Sequence, residues 1–128
     1  MQSYIQTQTS LTPYTYCFVR TDIPVANQIV QASHACLERG LSLSSESIPK
    51  ITSFLVLLKV ENEDKLMRIA YDLQKARIKT TIFFEPDIFN GEQMGNTAIC
   101  TEPVYGDRRN IFNKYELWDI AIDGEVEG

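Results

Sequence analysis

Several features that would point to a membrane or secreted protein are absent from this sequence. The 128-residue chain contains no run of about 20 apolar residues, the length that a helix needs to span a bilayer. Its first residues, MQSYIQTQTSLTP, include no basic residue and no apolar run, so they do not resemble a signal peptide. We therefore expect no contact with a membrane.

The cysteines are few and show no Cys-x-x-Cys spacing. The chain has three, Cys17, Cys36 and Cys100, and each lies in an apolar or periodic segment. Such positions are typical of small buried thiols rather than of a disulfide framework or a redox motif. This use of cysteine favours a reducing compartment, and we expect a cytoplasmic protein.

Histidine and positive charge are also scarce. The single histidine is His34, and one histidine among scattered carboxylates matches no usual metal-ligand spacing, so we expect neither a metal nor another cofactor. The 12 Lys and Arg residues face 17 Asp and Glu residues, which gives a net charge of -5. Nucleic-acid binders usually carry a basic footprint, so this balance disfavours a nucleic acid as a partner.

The hydrophobic pattern predicts a single α/β domain with a polar extension at each end. We expect a flexible polar arm over residues 1–13, the domain over residues 14–120 and an acidic tail over residues 121–128. The predicted strands cover residues 14–20, 51–60, 79–84 and 97–101, and the predicted helices cover residues 25–39 and a segment after Asn62. This order predicts a three-layer domain in which helices flank a mixed four-stranded sheet.

Local signals set the ends and faces of these elements. Asp22 and Pro24 are typical of the start of the first helix, and Gly40 is typical of its end. An apolar stripe of Val25, Ile29, Ala32 and Cys36 is expected to face the sheet. The second helix is expected to turn the stripe of Leu66, Ile69, Ala70, Leu73 and Ala76 inward.

The segments beyond the third strand are predicted to be less regular. Residues 85–96, EPDIFNGEQMGN, are rich in turn formers and carboxylates and are expected to form a loop. A short amphipathic helix is predicted from about Asp107. Its core-facing side chains, with Trp118 on the same layer, are expected to be Ile111, Phe112 and Tyr115.

His34 lies within QASHACL, in the middle of the first predicted helix. At about 100° per residue, its side chain points away from the apolar stripe, on the side that also carries Asn27 and Gln31. Glu38 follows four residues later and is close enough to favour an imidazolium. A solvated polar face and a catalytic or recognition group both fit this placement.

The other polar concentration is the Glu85-Pro86-Asp87 run directly after the third strand. Ligands of α/β sheets gather at the carboxyl ends of strands, where a carboxylate can orient a water molecule or a histidine. A loop that is kept soluble by its charges fits the same residues.

One set of residues resembles a known family. CFVRTDIP followed by QASHA resembles the first strand and first helix of the archaeal and eukaryotic-type (type II) peptidyl-tRNA hydrolases, which carry an Arg-Asx-Asp-Leu run, a Gly-Lys-Gly-Lys segment and then Gln-Cys-Ser-His-Ala. The resemblance covers roughly Tyr14 to Pro103. The matching positions are Arg20, Asp22, Gln31, Ser33, His34 and Ala35.

The resemblance implies a peptidyl-tRNA hydrolase type II-like fold and a carboxylic ester hydrolase that cleaves the bond between a peptidyl group and tRNA. It implies that His34 is the site histidine and that either Glu85 or Asp87 stands at the family's aspartate. Thr97 matches a threonine at the start of the fourth strand. The residues expected to bind substrate are Arg20, Asp22, Asn27 and Gln31.

The sequence departs from the family at two points. The Gly-Lys-Gly-Lys segment is shortened to Val25-Ala26-Asn27-Gln28, and no lysine remains between Arg20 and Lys50. The family's Asp-Ala-Gly-Arg-Thr-Gln run is replaced by EPDIFN, which suggests a divergent, bacterial-like subgroup. Two alternatives therefore stay open: a non-catalytic binding or regulatory module on the same fold, and a hydrolase of a small acyl substrate. A homodimer is also left open.

Overall fold

The fold is built on a single sheet. The structure is a computed structural model, and it describes residues 12–43 and 53–120. The elements in chain order are β1 (Tyr14–Arg20), α1 (Val25–Leu43), β2 (Phe54–Val60), α2 (Glu63–Lys75), β3 (Thr80–Phe89), β4 (Glu92–Thr101) and a 3-10 helix (Gly106–Phe112). The predicted arm before Thr12, residues 44–52 with the first two residues of the predicted second strand, and the predicted acidic tail lie outside the described residues.

The strands form a mixed four-stranded sheet in the order β2-β1-β4-β3. β1 and β2 are parallel and in register along their whole length, from Tyr14 opposite Phe54 to Arg20 opposite Val60. β4 runs antiparallel to both of its neighbours. A parallel pair needs a long crossover, which α1 supplies, whereas β3 and β4 form a hairpin. The predicted α/β domain with a mixed four-stranded sheet and helices is confirmed.

The alternation of side chains along β1 divides the core into two layers. Tyr16 and Phe18 point to one face, where they pack with Leu66 and Leu73 of α2. Cys17 and Val19 point to the other face, under α1. Both faces of β1 are therefore dry, as expected for a central strand whose sequence is almost continuously apolar.

The second helix follows the sequence prediction closely. Asn62 is the N-cap, and its side chain accepts a hydrogen bond from the Lys65 N–H. Leu66, Ile69 and Leu73 are buried as predicted, whereas Ala76, just past the helix, is exposed.

The first helix differs from its prediction in length and in rotation. Gly40 does not end it, because the helix continues to Leu43. The predicted inward stripe is only partly buried, since Ile29 is half exposed and Val25 is also exposed. The buried face of α1 instead consists of Gln28, Gln31, Ala32, Ala35 and Arg39. The amide of Gln31, which has partners on the sheet, and the small alanines that pack there turn this face inward.

The predicted loop at residues 85–96 is wrong, because β3 and β4 continue through it as an extended hairpin. Asn90 and Gly91 connect the strands, with φ of 54° and 82° respectively. Two consecutive positive φ values define the two-residue turn that matches the twist of a hairpin, and Asn-Gly is its favoured sequence. The Asn90-Gly91 dipeptide indicated this turn, but the many turn formers and carboxylates of the segment favoured the prediction of a loop.

The chain after β4 contributes to both core layers. Phe112 is buried, and its ring stacks on Tyr16 at a centroid distance of 3.8 Å. Ile111 is exposed, contrary to prediction. Trp118 also differs, because it packs against the α1 layer, where its indole N–H donates to Gln28 Oε1 at 2.7 Å. No helix among the described residues is long and apolar enough to cross a membrane.

Gly95 gives the first testable prediction. Its φ is +80°, and a Cβ atom there would lie 2.5 Å from Oε2 of Glu63, the carboxylate that binds the neighbouring Asn96 N–H at 2.8 Å. We expect Gly95→Ala to lower the free energy of unfolding by about 2 kcal/mol, because the left-handed backbone alone costs about 1–2 kcal/mol. Denaturant titration measures this change.

Gly91→Ala is the matched control, because Gly91 has a φ of +82° but no atom within 4 Å of its Cβ position. The control should lose only the part that comes from the backbone. Equal losses in the two variants would show that the contact with Glu63 contributes nothing.

Candidate active site

His34 lies on the exposed side of α1 where the helix crosses β3. Its imidazole stacks on the ring of Phe83, with centroids 4.6 Å apart and planes 5° apart. The imidazole nitrogens make no hydrogen bond with any residue that the structure describes, and the predicted pair with Glu38 does not form there. The ring is therefore oriented by stacking, while its nitrogens can still take part in proton transfer.

Gln31, one turn earlier on α1, links two strands through its amide. Its Nε2 donates to Oε1 of Glu85 at 2.9 Å, and its Oε1 accepts from Oγ1 of Thr97 at 2.7 Å. The Gln31 side chain is almost completely buried. Both ends of the amide are thus satisfied inside the protein, which positions Glu85 and Thr97 relative to α1.

Thr97 reaches Gln31 because β4 bulges at this residue. Phe83 pairs with Ala98 but Phe84 pairs with Asn96, so Thr97 is an extra residue on β4. Simple alternation from Ala98 would turn Thr97 to the α2 face, whereas the bulge turns it to the α1 face. Thr97 is fully buried, so its hydroxyl contacts Gln31 and is not exposed to solvent.

A second irregularity in the hairpin separates Glu85 from Asp87. Glu85 pairs with Gly95 and Ile88 pairs with Gln93, so β3 has one residue too many at Pro86-Asp87. Proline has no N–H to offer the ladder, which is why a bulge forms here. Asp87 is exposed, and its backbone N–H contacts Oε2 of Glu85 at 3.3 Å.

The two bulges decide which carboxylate joins the cluster. The Glu85 side chain faces α1 and is held by Gln31, whereas the carboxylate of Asp87 makes no hydrogen bond within the described residues. Of the two alternatives left open by the sequence, Glu85 is therefore the one that is bonded to the helix that carries His34.

Arg20 and Asp22 lie at the carboxyl end of β1 and bind each other. The guanidinium meets the carboxylate through two bonds, Nε to Oδ1 at 2.8 Å and Nη2 to Oδ2 at 2.9 Å. Nη1 donates to the backbone oxygens of Met94 and Asn96, which flank the bulged part of the hairpin. Arg20 thus binds backbone oxygens beside the bulges, and its charge is paired with that of Asp22.

Asn27, the last predicted substrate-binding residue, is half-exposed and makes no side-chain hydrogen bond with the described residues. Its neighbour Gln28 is buried instead, with Nε2 donating to the Ile23 oxygen at 2.7 Å. Sequence reasoning missed Gln28 and Phe83. The signal for Gln28 was its three-residue spacing from Gln31, whereas Phe83 looked like an ordinary core residue.

A cationic corner, defined as Lys75, Arg77, Lys79 and Arg108, lies where α2 joins β3. All four side chains are exposed and form no ion pair with the described residues, whereas Arg20, Lys59, Lys65 and Arg68 each pair with a carboxylate. Arg108 Nη2 donates to the Arg77 oxygen at 2.8 Å, which attaches the 3-10 helix to this corner. Next to it, Tyr71 is exposed and contacts the Lys75 ammonium.

Comparisons with known proteins do not identify this site, so its residues are interpreted from their own chemistry. The chain matches no protein-family model and none of the curated proteins. Within the described residues, no group of three His, Cys, Asp or Glu side chains could hold a metal ion. The site therefore offers one exposed imidazole for acid–base chemistry, on the helix whose Gln31 binds the Glu85 carboxylate.

The bridge formed by Gln31 can be tested by a double-mutant cycle with Thr97. We expect Thr97→Val to lower the free energy of unfolding by about 1–3 kcal/mol, because it leaves the buried Gln31 Oε1 without its donor. In the Gln31→Met background the same substitution should cost at least about 1 kcal/mol less, since no amide oxygen remains. Equal costs in the two backgrounds, measured by denaturant titration, would contradict the bond.

Proposed function

We propose that this protein hydrolyses the ester bond between a peptidyl group and tRNA, at a site built from His34, Gln31, Glu85 and Thr97. The observation that carries the proposal is the Gln31 bridge beside His34. Three elements that are distant in the sequence bring together the residues that resemble those of the peptidyl-tRNA hydrolases. A purely solvated polar face would have no need to bury Gln31 and bond it to Glu85.

The proposed mechanism gives each side chain a separate part. The neutral imidazole of His34 takes a proton from the water that attacks the ester carbonyl, and it returns a proton to the ribose oxygen that leaves. Glu85, two residues from Phe83 on β3, supplies the negative charge that is opposite in sign to the imidazolium formed between these steps. Gln31 and Thr97 fix Glu85, and Phe83 fixes the plane of the imidazole ring.

The proposed site has no cationic side chain to stabilise the oxyanion. Among the described residues, no lysine or arginine contacts His34 or Glu85, and Arg20 is bound to Asp22. Removing one oxyanion donor from a hydrolase costs about 100–1,000-fold in rate. We therefore expect slow turnover, limited by the attack on the carbonyl.

The cationic corner offers the phosphate contacts that Arg20 does not. β3 begins at this corner and reaches Glu85 five residues after Thr80, which is about 17 Å at 3.3 Å per residue. The corner lies on the α2 side of the sheet, whereas Glu85 faces α1. An extended single strand that passes over the edge strand β3 can contact the cations of the corner and place its ester on the α1 side. The exposed ring of Tyr71 provides a surface on which a base can stack.

A non-catalytic binding module is the second candidate. The exposure of the His34 imidazole favours it, because no carboxylate of residues 12–43 or 53–120 is bonded to the ring to hold one tautomer. The net charge of -5 points the same way. Hydrolysis of a small acyl substrate is an intermediate case, because it requires the His34 site but does not require the cationic corner.

Hydrolysis of peptidyl-tRNA by the purified full chain is the direct test. We expect release of free tRNA from N-blocked peptidyl-tRNA, with a loss of at least about 100-fold in His34→Ala, the range for a general base. Glu85→Gln should lose about tenfold or more, because it keeps the shape but removes the charge. Asp87→Asn is the matched control and should keep nearly full activity.

Two results would reject the proposal. Unchanged hydrolysis in His34→Ala would show that His34 is not the general base. No hydrolysis at any protein concentration would favour the binding module. Activity on model esters that is insensitive to added tRNA would identify the small acyl substrate.

Binding of tRNA gives a separate prediction for the cationic corner. We expect the double variant Arg77→Ala/Lys79→Ala to weaken binding and to reduce the slope of log K against log salt by about 1.4, at about 0.7 per single-stranded phosphate contact. Lys65→Ala/Arg68→Ala removes the same charge from cations that are already paired, and its slope should change little. Equal effects of the two double variants would show that only net charge matters.

A further inference from the structure

Three thiols meet beneath α1, outside the site described above. Cys17 and Cys100 occupy directly paired positions of β1 and β4, and both are buried on the face that α1 covers. Cys36 approaches from α1, and its Sγ lies 3.7 Å from Sγ of Cys100. None of the three forms a disulfide. The sequence predicted three small buried thiols, and their proximity to one another follows only from the fold.

Only one of the three thiols can be reached from solvent. Cys17 and Cys100 are sealed in the core, whereas Cys36 is half-buried and lines an open groove of about 490 Å³ between α1 and β2. The groove is mostly apolar, with Ile29 and Leu55 among its lining residues. A small uncharged oxidant can therefore reach Cys36 without opening the core.

The arrangement of the thiols decides which of them ionises first. Hydrogen bonds from Cys100 and then Cys17 lower the pKa of the Cys36 thiol, and these outweigh its partial burial. A bond to Cys100 raises the pKa of Cys17 well above its ordinary value. For Cys100, the bond from Cys17 lowers the pKa, but the bond to Cys36 and burial raise it to about 12. A thiolate at the most accessible position is the reactive form.

We propose that Cys36 is a hydroperoxide-reactive thiol and that Cys100 resolves it as an intramolecular disulfide. The geometry carries this assignment, because the accessible sulfur and the buried sulfur are already in contact. Cys17 is a poorer resolving group, since its Sγ contacts the backbone oxygen of Ala32 at 3.7 Å.

The proposed chemistry has two balanced steps. The Cys36 thiolate attacks one oxygen of the hydroperoxide, the O–O bond breaks, and the other oxygen leaves as water or an alcohol after taking up a proton; Cys36 becomes a sulfenic acid. The Cys100 sulfur then attacks the Cys36 sulfur, the S–O bond breaks, and the hydroxyl leaves as water with the proton from Cys100. The two thiols supply the two electrons that reduce the peroxide.

The second step needs only a small movement. The sulfurs must close from 3.7 Å to about 2.05 Å. The resulting bond would join α1 to β4 close to the Gln31–Thr97 contact, because Cys36 lies five residues after Gln31 and Cys100 lies three residues after Thr97. This inference is independent of the proposed hydrolysis.

Peroxide treatment of the full-length protein, followed by alkylation and peptide mass mapping, tests the proposal. We expect the wild-type protein to lose two hydrogens and to give a peptide linked through Cys36 and Cys100. Cys17→Ser should form the same link. Cys100→Ser should stop at a sulfenic acid on Cys36 that dimedone traps, and Cys36→Ser should form no link.

The rate of the first step provides a measurement that needs no variant. At pH 6 we expect Cys36 to react with hydrogen peroxide at least about tenfold faster than free cysteine, because a larger fraction of it is thiolate, although a thiolate of low pKa is a weaker nucleophile. A rate equal to that of free cysteine, or a wild-type link through Cys17, would overturn the proposal.

Discussion

The amide of Gln31 is the interaction on which the candidate site depends. It is buried against the sheet, it bonds to Glu85 and Thr97, and each of these bonds joins α1 to a different strand. A buried amide costs free energy unless both of its ends are satisfied, so the helix must present this side chain inward. The half exposure of Ile29, which lines the open groove between α1 and β2, follows from that constraint. Hydrogen bonding, and not apolar area, sets the rotation of this helix.

The hairpin of β3 and β4 supplies the other half of the site because it is irregular. One bulge turns Thr97 towards α1, and the other, at Pro86, separates Glu85 from Asp87. A regular ladder would place Thr97 on the α2 face. Arg20 binds the backbone oxygens of Met94 and Asn96 beside the bulges. The residue that resembles a substrate-binding arginine therefore has a structural part in shaping the hairpin.

The sequence predicted the elements better than it predicted their faces. β1 and the Asn62 cap were readable because continuous apolar runs and capping residues act locally. The buried face of α1 could not be predicted, because the helical periodicity considers only apolar residues. It takes no account of the hydrogen-bond partners of Gln31, which lie more than 50 residues away in the sequence. The hairpin was missed although Asn90-Gly91 marks its turn, because carboxylates and glycines dominated the segment. His34 was found by resemblance, whereas its stacking on Phe83 depends on the tertiary fold.

The contacts of Arg20 also couple the two helices across the sheet. Asp22, which holds the guanidinium, lies just before the first residue of α1, and Asn96, whose oxygen Arg20 binds, donates its N–H to Glu63 in the first turn of α2. The amino ends of helices on opposite faces are thus fixed to the same short stretch of β4. Residues 94–96 of β4 are therefore an anchor point that the two layers share.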